Sequence, residues 1–542
     1  MDVSALKLTP ARWAIALAGV AVLGLALRLH GIGDPMLDHP GWRQGDSAAI
    51  ARNFARLQFD IMHPQTMYNG PPPNYVELEL QIVPFLAAAL DKIFGIHEIF
   101  GRLLTLGFSL ATIVTLACFG RWLFSSALAG LIAAFFYAVF PGSVYYGRTF
   151  MPDAAMVFFL TAALFATARY LVGDERLSLR GAGASAALLS LAYLAKPVAV
   201  LALLPLGGLI AARVRARRAT NPLLIAALVV IPLGVLALYD RRVASYAEWH
   251  WASGITRLHV LPALLGAFGS ASGFLLKLGD VQVVLGALRA SMLGNLSFAL
   301  AIAGFAALPW IAARSRTLLW CWLLGGLLYV FVVVSVERVD YYMLPLLPLC
   351  ALAIGGALAR FAAGVARADV AAGPRYALLA LVPLVALGAL LGSRAPVAAY
   401  YHVNRQAYRN AVDLNQSLPA GALVVIGHYG PDVQYYIDRF GWEEDPILWT
   451  PFDEESAIKK GARYFISIED ARLRHNLDLC AWLQRFPLLD ARAQWPVYQT
   501  DPAKVLPGAD RFWRAFRTAA RAGAGRAFLD AHGRCRVTAA AR

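Results

Sequence analysis

Residues 221–239 read NPLLIAALVVIPLGVLALY, an apolar stretch without a single charged residue. A run of about 20 apolar residues matches the thickness of the hydrocarbon core of a bilayer, and its backbone must be helical to satisfy its own hydrogen bonds there. Similar stretches recur along the 542-residue chain, which is 59% hydrophobic and has a mean hydropathy of +0.56. This composition excludes an ordinary soluble domain and predicts a polytopic α-helical membrane protein.

The apolar stretches predict about eleven transmembrane helices. Pro197 separates the fifth from the sixth, and both are short, so this boundary is the least well defined. The predicted spans cover residues 12–28, 101–119, 124–141, 153–171, 182–195, 197–212, 221–239, 292–312, 317–335, 343–361 and 376–393.

The net charge of +15 does not point to nucleic acid, because the basic residues concentrate in alternate short loops. Such loops face the cytoplasm under the positive-inside rule. We therefore predict a bacterial inner-membrane protein with a cytoplasmic N-terminus and, because the number of spans is odd, a periplasmic C-terminal segment. The first span has no persuasive cleavage site and is interpreted as an uncleaved helix. The clustered cations are Lys7 and Arg12; Arg121; Arg176 and Arg180; Arg213, Arg215, Arg217 and Arg218; Arg314 and Arg316; and Arg360, Arg367 and Arg375.

Three segments lie outside the predicted spans. Residues 29–100 form a first long periplasmic loop with interfacial helices, and residues 240–291 form a second, so that 1–395 make up a membrane module. Residues 396–542 differ in kind, because short β-branched runs such as ALVVIG at 422–427 alternate with helical patterns. That tail is predicted to be a small periplasmic α/β domain. Its two cysteines, Cys480 and Cys535, either pair in an oxidising compartment or remain free thiols.

Ionisable residues near apolar spans are costly, and their default interpretation is functional. Those of this chain are predicted to share the periplasmic face, where turns that are distant in sequence can form one cavity with both signs of charge. The residues are Asp46 in the first loop, Arg148 and Asp153 between spans three and four, Lys196 between spans five and six, and Glu337, Arg338 and Asp340 before Tyr341 and Tyr342.

Each of these residues also has a purely structural interpretation. Asp46 and Asp153 both stand near helix starts and would serve as N-caps. Lys196 would extend to the lipid headgroups, and the two tyrosines would belong to an interfacial aromatic belt. Glu79 would lie on the polar face of an interfacial helix. Spacing alone does not decide between these interpretations, and the sequence has no cluster of His and Cys at metal-binding spacing.

Several short motifs, in order along the chain, resemble those of bacterial GT-C glycosyltransferases of family 39, which are related to protein O-mannosyltransferases and to the lipid A aminoarabinose transferase. Any one motif is weak, but their order over most of the chain is specific to the superfamily. They are WRQGDSAAIARNF at 42–54, Glu79 with the following residues to Ile82, GRL at 101–103, RTFMPD at 148–153, LAKP at 194–197, YYMLPLLP at 341–348 and VVIGHYGPDVQYYIDRFGW in the tail.

Two departures from this pattern matter. Relatives often carry an acidic pair in the first loop, where this chain has Asp46 followed by Ser47. Relatives also often have His before the two tyrosines, where this chain has Asp340. The second departure puts a role for position 340 in doubt.

The resemblance implies an integral-membrane enzyme that moves a sugar from a polyprenyl phosphate, similar to undecaprenyl phosphate, to a periplasmic glycolipid such as lipid A, a polysaccharide or a protein. Asp46 is then the expected general base, with Asp153 beside it in the catalytic set and inversion at the anomeric carbon. Lys196 and Arg148 are expected to bind the donor phosphate, with Tyr341 and Tyr342 against it. Further substrate contacts are expected from Trp42, Arg43, Gln44, Arg52, Glu79, Glu337, Arg338 and Asp340.

No cofactor or divalent metal is implied by this chemistry. Two other classes remain open: a transporter or flippase of lipid-linked sugar, and a polysaccharide polymerase or ligase that uses a diphosphate-linked donor. A transporter would concentrate its polar groups near the bilayer centre and often shows internal repeats. The charges here are predicted at one face, and no repeat is apparent, which favours the transferase.

Overall fold

A computed structural model describes residues 9–173, 176–368, 371–489, 494–533 and 535. Most of them are helical. The α-helices in chain order are α1 (Pro10–Leu29), α2 (Gly41–Arg56), α3 (Ile82–Phe94), α4 (Glu98–Leu123), α5 (Ala127–Val139), α6 (Pro141–Tyr146), α7 (Asp153–Ala168), α8 (Leu179–Ala195), α9 (Leu203–Arg215), α10 (Pro222–Ala244), α11 (Ala252–Gly254), α12 (Leu261–Gly269), α13 (Ala271–Ala287), α14 (Asn295–Ala307), α15 (Arg316–Tyr329), α16 (Ser335–Glu337), α17 (Leu347–Arg367), α18 (Ala372–Gly392), α19 (Arg394–Ala398), α20 (Arg405–Ser417), α21 (Pro431–Ile437), α22 (Pro451–Lys459), α23 (Asp470–Leu473), α24 (Leu477–Leu483), α25 (Ala509–Arg521) and α26 (Gly525–Ala531).

Strands are few and short. Several helices continue into 3₁₀ or π turns, of which the 3₁₀ segments Pro197–Ala202 and Asp340–Leu346 matter for the site described below. The strands are β1 (Val76–Glu77), β2 (Trp249–His250), β3 (Leu423–Gly427), β4 (Gly441–Glu444), β5 (Ala462–Ile466) and β6 (Val497–Tyr498).

Nine helical segments of the described chain are long and apolar enough to cross a membrane, and three shorter apolar helices accompany them. The helical membrane fold predicted from the sequence is therefore confirmed. Eight of the nine coincide with predicted spans, and the three shorter helices, α5, α8 and Asn295–Trp310, cover the remaining three. Local signals fix the starts: Asn221 caps α10 through its side-chain oxygen, and Pro222 occupies the first helical position.

The ninth long segment was not predicted. Residues 240–291 were expected to form a loop, but α12 and α13 are helices there, and Ala271–Leu293 is 23 residues long. Ser270 caps the start of α13 by accepting a hydrogen bond from the backbone N–H of Gly273. Lys277 and Asp280 interrupt the apolar pattern, and for this reason the sequence does not show a clear span. The expectation of a loop was wrong for this part of the segment, and the odd number of spans, on which the predicted orientation depends, is not established.

The chain divides into two compact units, residues 1–33 with 77–401 and residues 34–76 with 402–542. The first, the membrane-helix unit, holds the long apolar helices. Its helices pack closely where small residues meet: a Cβ built on Gly130 would lie 2.2 Å from the carbonyl oxygen of Ala117, so α4 and α5 require glycine at that position. Aromatic and aliphatic side chains of α4, α5, α7, α8, α15 and α17 fill its core.

The second unit, the α/β unit, contains a four-stranded sheet in the order β4-β3-β5-β6. β3 pairs in parallel with β4 and β5, while β6 is antiparallel to β5. A disulfide joins Cys480 to Cys535, which resolves the alternative that the sequence left open. The α/β fold predicted for the tail is present, but residues 34–76, including α2, group with it rather than with the membrane helices, where we expected them.

Candidate active site

Lys196 and Asp153 form a buried ion pair in the membrane-helix unit. The Lys196 Nζ lies 2.6 Å from Asp153 Oδ1, and the two side chains are 8% and 1% exposed. Lys196 ends α8 in an extended conformation before Pro197, so its side chain turns away from the helix axis. Its extension to lipid headgroups is thereby excluded. Asp153 is the first residue of α7, but Pro152 occupies the cap position and no side chain caps the helix, so the N-cap interpretation of Asp153 is also wrong.

Both members of this pair keep unused hydrogen-bonding capacity. The ammonium group of Lys196 has three donors, and its hydrogen bond within the described chain goes to Asp153. Asp153 Oδ2 is buried and has no hydrogen-bond partner among the described residues. A buried charge pair with unsatisfied atoms is costly, so the site has the character of a binding position rather than of a stabilising contact.

Tyr341 and Tyr342 flank the Lys196 ammonium. The Lys196 Nζ lies 4.8 Å from the ring centroid of Tyr341 and 4.6 Å from that of Tyr342, both within cation–π range. Tyr341 is 2% exposed. Tyr341, the more buried of the two, therefore faces a cation inside the protein. Membership of an interfacial aromatic belt would not require such a contact. The structure brings these three predicted residues together.

Arg148 is fully buried and lies against a different pair of rings. Its guanidinium carbon is 5.0 Å from the centroid of Tyr145 and 4.4 Å from that of Tyr401, and its Nη1 donates to the carbonyl oxygen of Gly31 at 3.0 Å. Tyr145 contacts Tyr146 edge to face, and Tyr146 contacts Tyr341 in the same way. A continuous cluster of tyrosine rings thus connects the surroundings of Arg148 with those of Lys196.

Asp340 lies within this tyrosine cluster. Its carboxylate accepts hydrogen bonds from the hydroxyls of Tyr146 at 2.6 Å and Tyr400 at 2.7 Å, and from the backbone N–H of Tyr341 at 2.9 Å. Sequence analysis did not connect Tyr146 or Tyr400 with this site, because both lie in pairs of adjacent tyrosines that also suit a membrane interface. Their partner is visible only once the helices are packed.

The other candidates of this unit have different partners. Glu337 pairs with His259 at 3.0 Å, and Arg338 pairs with Asp280 in an exposed ion pair. Glu79 is buried, and the neighbouring backbone N–H of Leu80 donates to the carbonyl oxygen of Leu194, two residues before Lys196.

Asp46 belongs to the α/β unit and lies inside α2, not at its start. The helix begins at Gly41 and its cap position is Pro40, so the predicted N-cap role of Asp46 is wrong. Asp46 is 4% exposed, and its carboxylate lies 3.8 Å from the Arg43 guanidinium one turn earlier. The hydroxyl of Tyr68 hydrogen-bonds to Asp46, and burial together with this carboxylate raises the pKa of Tyr68 well above its ordinary value.

Other acids crowd around Asp46. Burial raises the pKa of Glu443, on β4, well above its usual range, and the carboxylates of Asp46 and Asp432 raise it further. Burial also raises the pKa of Asp432. A carboxyl group that is crowded and desolvated retains its proton where a solvated one does not. Burial and the neighbouring negative charges therefore both favour the protonated form of Glu443.

A network of close contacts fixes α2 against α21. A Cβ built on Gly45 would lie 2.4 Å from the Cα of Asp432, so position 45 beside Asp46 admits only glycine. Arg52 donates to Asp438 at 2.6 Å and to the carbonyl oxygen of Tyr435 at 2.8 Å, and its guanidinium stacks 3.6 Å above the Tyr435 ring. Arg52 thus anchors the helix that carries Asp46.

The remaining first-loop candidates divide into one exposed and two buried residues. Trp42 is 44% exposed, whereas Arg43 and Gln44 are buried, and Gln44 donates to Asp38 at 2.7 Å. Sequence analysis missed Tyr68 and Glu443. The tail motif VVIGHYGPDVQYYIDRFGW ends one residue before Glu443, and that proximity was the available signal for it.

The geometry defines a helical membrane protein with a buried site of cations, acids and tyrosines, and comparison with known proteins makes the class more specific. A family model described as dolichyl-phosphate-mannose-protein mannosyltransferase matches residues 81–239, which include Arg148, Asp153 and Lys196. This match covers less than half of the chain. A search of curated proteins finds no match.

Solved structures are similar over nearly the whole chain. The structure of ArnT from Cupriavidus metallidurans in the apo state has a TM-score of 0.58 at 15% identity, and the match covers 91% of this chain and 99% of ArnT. The structure of the same protein bound to undecaprenyl phosphate has a TM-score of 0.56 at 15% identity, and the match covers 92% of this chain and 100% of ArnT. The archaeal oligosaccharyltransferase AglB from Archaeoglobus fulgidus, in complex with an inhibitory peptide and a dolichol-phosphate, has a TM-score of 0.57 at 14% identity and covers 91% and 75%.

The chain therefore has the fold of the GT-C superfamily of membrane glycosyltransferases, as the sequence motifs predicted. At these identities the structural likeness establishes the fold and does not transfer a substrate.

Proposed function

We propose that this protein is an integral-membrane glycosyltransferase that moves a sugar from a polyprenyl monophosphate to an acceptor hydroxyl or amine. The observation that carries the proposal is the buried Lys196–Asp153 pair, with its 2.6 Å contact and its two flanking tyrosine rings, in a GT-C fold. A flippase would not require a buried carboxylate that retains a free oxygen beside the cation.

The donor phosphate is the group that needs a fixed cation. Sugar transfer breaks the bond between the anomeric carbon and the phosphate oxygen, and the leaving lipid phosphate gains negative charge as that bond lengthens. A preorganised ammonium in a low-dielectric site stabilises this charge without reorganisation. Lys196 is proposed for this role, because two of its three donors are not used by the described protein. Arg148 is proposed as a second cation for the same phosphate.

The acceptor must lose a proton as its oxygen or nitrogen bonds to the anomeric carbon. Asp46 is proposed as the general base that takes this proton. Its carboxylate is buried, accepts the Tyr68 hydrogen bond and lies beside the Arg43 guanidinium, so it is held in one position inside the α/β unit. One base acting in a single displacement implies inversion at the anomeric carbon.

The similar structures support the donor class and leave the acceptor open. One ArnT structure contains undecaprenyl phosphate, and the AglB structure contains a dolichol-phosphate and a peptide. Both lipids are polyprenyl phosphates. The proposed donor is accordingly a sugar on a polyprenyl phosphate, used at the periplasmic face of a bacterial inner membrane. A glycolipid, a polysaccharide and a protein all remain candidate acceptors, and no divalent metal is proposed for the transfer.

The decisive experiment incubates purified protein in nanodiscs with a panel of polyprenyl-phosphate sugars and a mixture of membrane glycolipids. The measured product is free polyprenyl phosphate, quantified by mass spectrometry. We expect release from one donor of the panel that depends on added acceptor. Release from diphosphate-linked donors alone, or movement of the donor between leaflets without release, would contradict the proposal.

Lys196→Ala is the matched site variant and Lys277→Ala is its control, because Lys277 is also a buried lysine of the membrane-helix unit but lies 5.7 Å from the ring centroid of Phe331. We expect Lys196→Ala to raise the KM for the donor more than the KM for the acceptor. An equal effect of the two variants would remove Lys196 from the phosphate site.

A further inference from the structure

The Asp340 carboxylate is the point at which three separate chain segments meet. Tyr146 belongs to α6, Tyr341 to the 3₁₀ segment Asp340–Leu346, and Tyr400 follows α19. Both carboxylate oxygens are used: Oδ1 accepts from the Tyr146 hydroxyl and from the Tyr341 N–H, and Oδ2 accepts from the Tyr400 hydroxyl. Hydrogen bonds to a charged acceptor are about twice as strong as neutral ones, so this junction is firmly held.

The tyrosines held by Asp340 reach both cations of the site. On one side, the Tyr341 ring lies 4.8 Å from Lys196 Nζ. On the other side, Tyr400 stacks on Tyr145 with centroids 4.7 Å apart, and the Arg148 guanidinium lies over Tyr145. Lys196 and Arg148 therefore contact rings whose positions depend on the same carboxylate.

The hydroxyls are donors in this arrangement. Burial raises the pKa of Tyr400 well above its ordinary value, and the negative charge of Asp340 raises it further, so its hydroxyl stays protonated. Asn at position 340 would offer one oxygen to two tyrosine hydroxyls and would point an amide N–H at the other, which removes one hydrogen bond without changing the volume of the side chain.

We infer that Asp340 is a positioning residue that sets the separation of Lys196 and Arg148 through the Tyr146, Tyr341 and Tyr400 rings. The inference rests on the proposed function and extends it: Lys196 and Arg148 are the cations proposed for the lipid phosphate, and Asp340 holds tyrosines that lie against Lys196 and against the Tyr145 ring beside Arg148. It also gives a physical reason for a carboxylate at this position, since its two oxygens together accept three hydrogen bonds, from the Tyr146 and Tyr400 hydroxyls and from the Tyr341 N–H.

The test measures binding of undecaprenyl phosphate, without any sugar, to full-length protein in nanodiscs by native mass spectrometry. The variants are Asp340→Asn, the double variant Tyr146→Phe with Tyr400→Phe, and the triple combination. We expect Asp340→Asn to weaken binding about tenfold, the size of one charged hydrogen bond. The double variant should weaken it to a similar extent, and the triple variant should bind no worse than the double, because the substitutions remove the same junction.

The control is Tyr239→Phe, which removes another buried tyrosine hydroxyl of the same unit, one that donates to the carbonyl oxygen of Leu78 at 3.1 Å. It should leave binding unchanged. A purely structural Asp340 would lower the melting temperature in all variants while the folded fraction bound the lipid normally, and that result overturns the inference. Additive losses in the triple variant overturn it as well.

Binding and transfer distinguish this inference from the proposed function. If wild type binds undecaprenyl phosphate but releases none from any donor of the panel, the transferase proposal fails and the Asp340 inference is still decided by the binding series. If wild type transfers sugar and Asp340→Asn has the wild-type donor KM, the inference alone fails. Should Asp340→Asn not fold, the Tyr146→Phe and Tyr400→Phe variants measured singly decide it, since each leaves the carboxylate in place.

Discussion

The two polar regions of this molecule bury charge in opposite ways. In the membrane-helix unit, Lys196 and Arg148 lie against tyrosine rings, the Asp153 carboxylate accepts a hydrogen bond from Lys196, and that of Asp340 accepts one from Tyr146. In the α/β unit, Asp46 lies among other acids: burial raises the pKa of Asp432, and burial together with the charges of Asp46 and Asp432 raises that of Glu443. The first region has fixed positive charge, and the second has a high affinity for protons.

This difference corresponds to the two halves of the proposed transfer. A leaving phosphate needs cations that are in place before the charge develops, and rings with buried hydrogen bonds provide such preorganisation. An attacking hydroxyl needs an acceptor for its proton, and a carboxylate among acids has a higher proton affinity than a solvated one. Substitutions near Lys196 should therefore impair use of the donor, whereas substitutions near Asp46 should impair proton transfer from the acceptor.

The largest effect is expected from Asp46→Asn. The amide has nearly the same shape but cannot accept the proton of the acceptor, so kcat should fall by about 10²–10⁴-fold, the usual contribution of a general base. The KM for the donor should change little. The measurement is release of polyprenyl phosphate under steady-state conditions, with circular dichroism and melting temperature to show that the variant is folded.

Glu444→Gln is the matched control for this substitution, because it also converts an acid of the α/β unit to its amide, at a half-buried position on β4. Its kcat should remain within about threefold of wild type, the range of an ordinary surface change. Wild-type turnover by Asp46→Asn would rule out Asp46 as the base and would leave the contrast between the two regions without a catalytic meaning.

Asp153→Asn should have the next largest effect, and here both activity and stability should fall. The substitution leaves the Lys196 ammonium buried without its counter-charge, and breaking one side of a buried pair costs about 3–5 kcal/mol. Thermal unfolding in detergent checks this expectation. The double variant Asp153→Leu with Lys196→Met should regain part of the stability but no activity, because it restores packing without the cation.

Equal losses of stability in Asp153→Asn and the double variant would contradict this view of the pair. Arg338→Ala is the comparison variant, since its ion pair with Asp280 is exposed and should contribute at most about 1 kcal/mol.

The sequence predicted the class of fold because long apolar runs and loop charges are local signals. It failed at residues 240–291, where Lys277 and Asp280 break the apolar pattern of α13 although the helix is long enough to span. Boundaries and caps were also misjudged at Asp46, because the helix begins five residues earlier, at Gly41.

For the site, sequence analysis identified Asp153, Lys196, Tyr341 and Tyr342, because each lies at the end of a predicted span. The structure brings these four residues together. Sequence analysis did not identify Tyr146, Tyr400, Tyr68 or Glu443. Their partners are up to hundreds of residues away in sequence, and the chemistry of such residues becomes apparent only when packing places two polar groups at hydrogen-bond distance. The roles of all these residues stay predictions until variants are measured.

Glu454 is another acid of the α/β unit whose pKa is raised chiefly by burial. Glu454 on α22 is fully buried, and desolvation raises its pKa to about 8, against the hydrogen bond that the Trp449 indole donates to it at 2.9 Å. Between its ordinary pKa and this value, the folded state binds a proton that the unfolded state has lost. The free energy of unfolding of the α/β unit should therefore fall as the pH rises through this interval.

Glu454 is expected to contribute at most about 1.4 kcal/mol per pH unit to this slope, and Glu454→Gln should remove that contribution and leave those of Glu443 and Asp432. Hydrogen exchange of β3 and β5 amides in the full-length protein, corrected for the intrinsic exchange rate, measures it. Glu455→Gln is the control, because Glu455 is the exposed neighbour and should leave the slope intact. A slope of the same size in Glu454→Gln and in wild type would show that Glu454 does not contribute to it.

The smallest effect on kcat is expected from Glu443→Gln, and a small effect would indicate that Glu443 is protonated in the wild-type protein. Glu443 differs from Glu454 in that the carboxylates of Asp46 and Asp432 add to the effect of burial, so it should be protonated at neutral pH. Glutamine imitates the protonated form, and kcat at neutral pH should stay within about threefold of wild type. Glu443→Ala should lose more, because it removes the side chain that packs beside the base.

The pH profile separates the possible outcomes. In wild type, loss of the Glu443 proton at high pH places a second negative charge beside Asp46, which destabilises the α/β unit and raises the proton affinity of the base. Glu443→Gln removes this transition, so its kcat and stability should remain level at high pH where those of wild type change. A large loss of kcat in Glu443→Gln at neutral pH would instead mean that Glu443 works as an ionised carboxylate. Asp46 and Glu443 would then act as a pair of ionised groups, and the model of one base beside a protonated neighbour would be wrong.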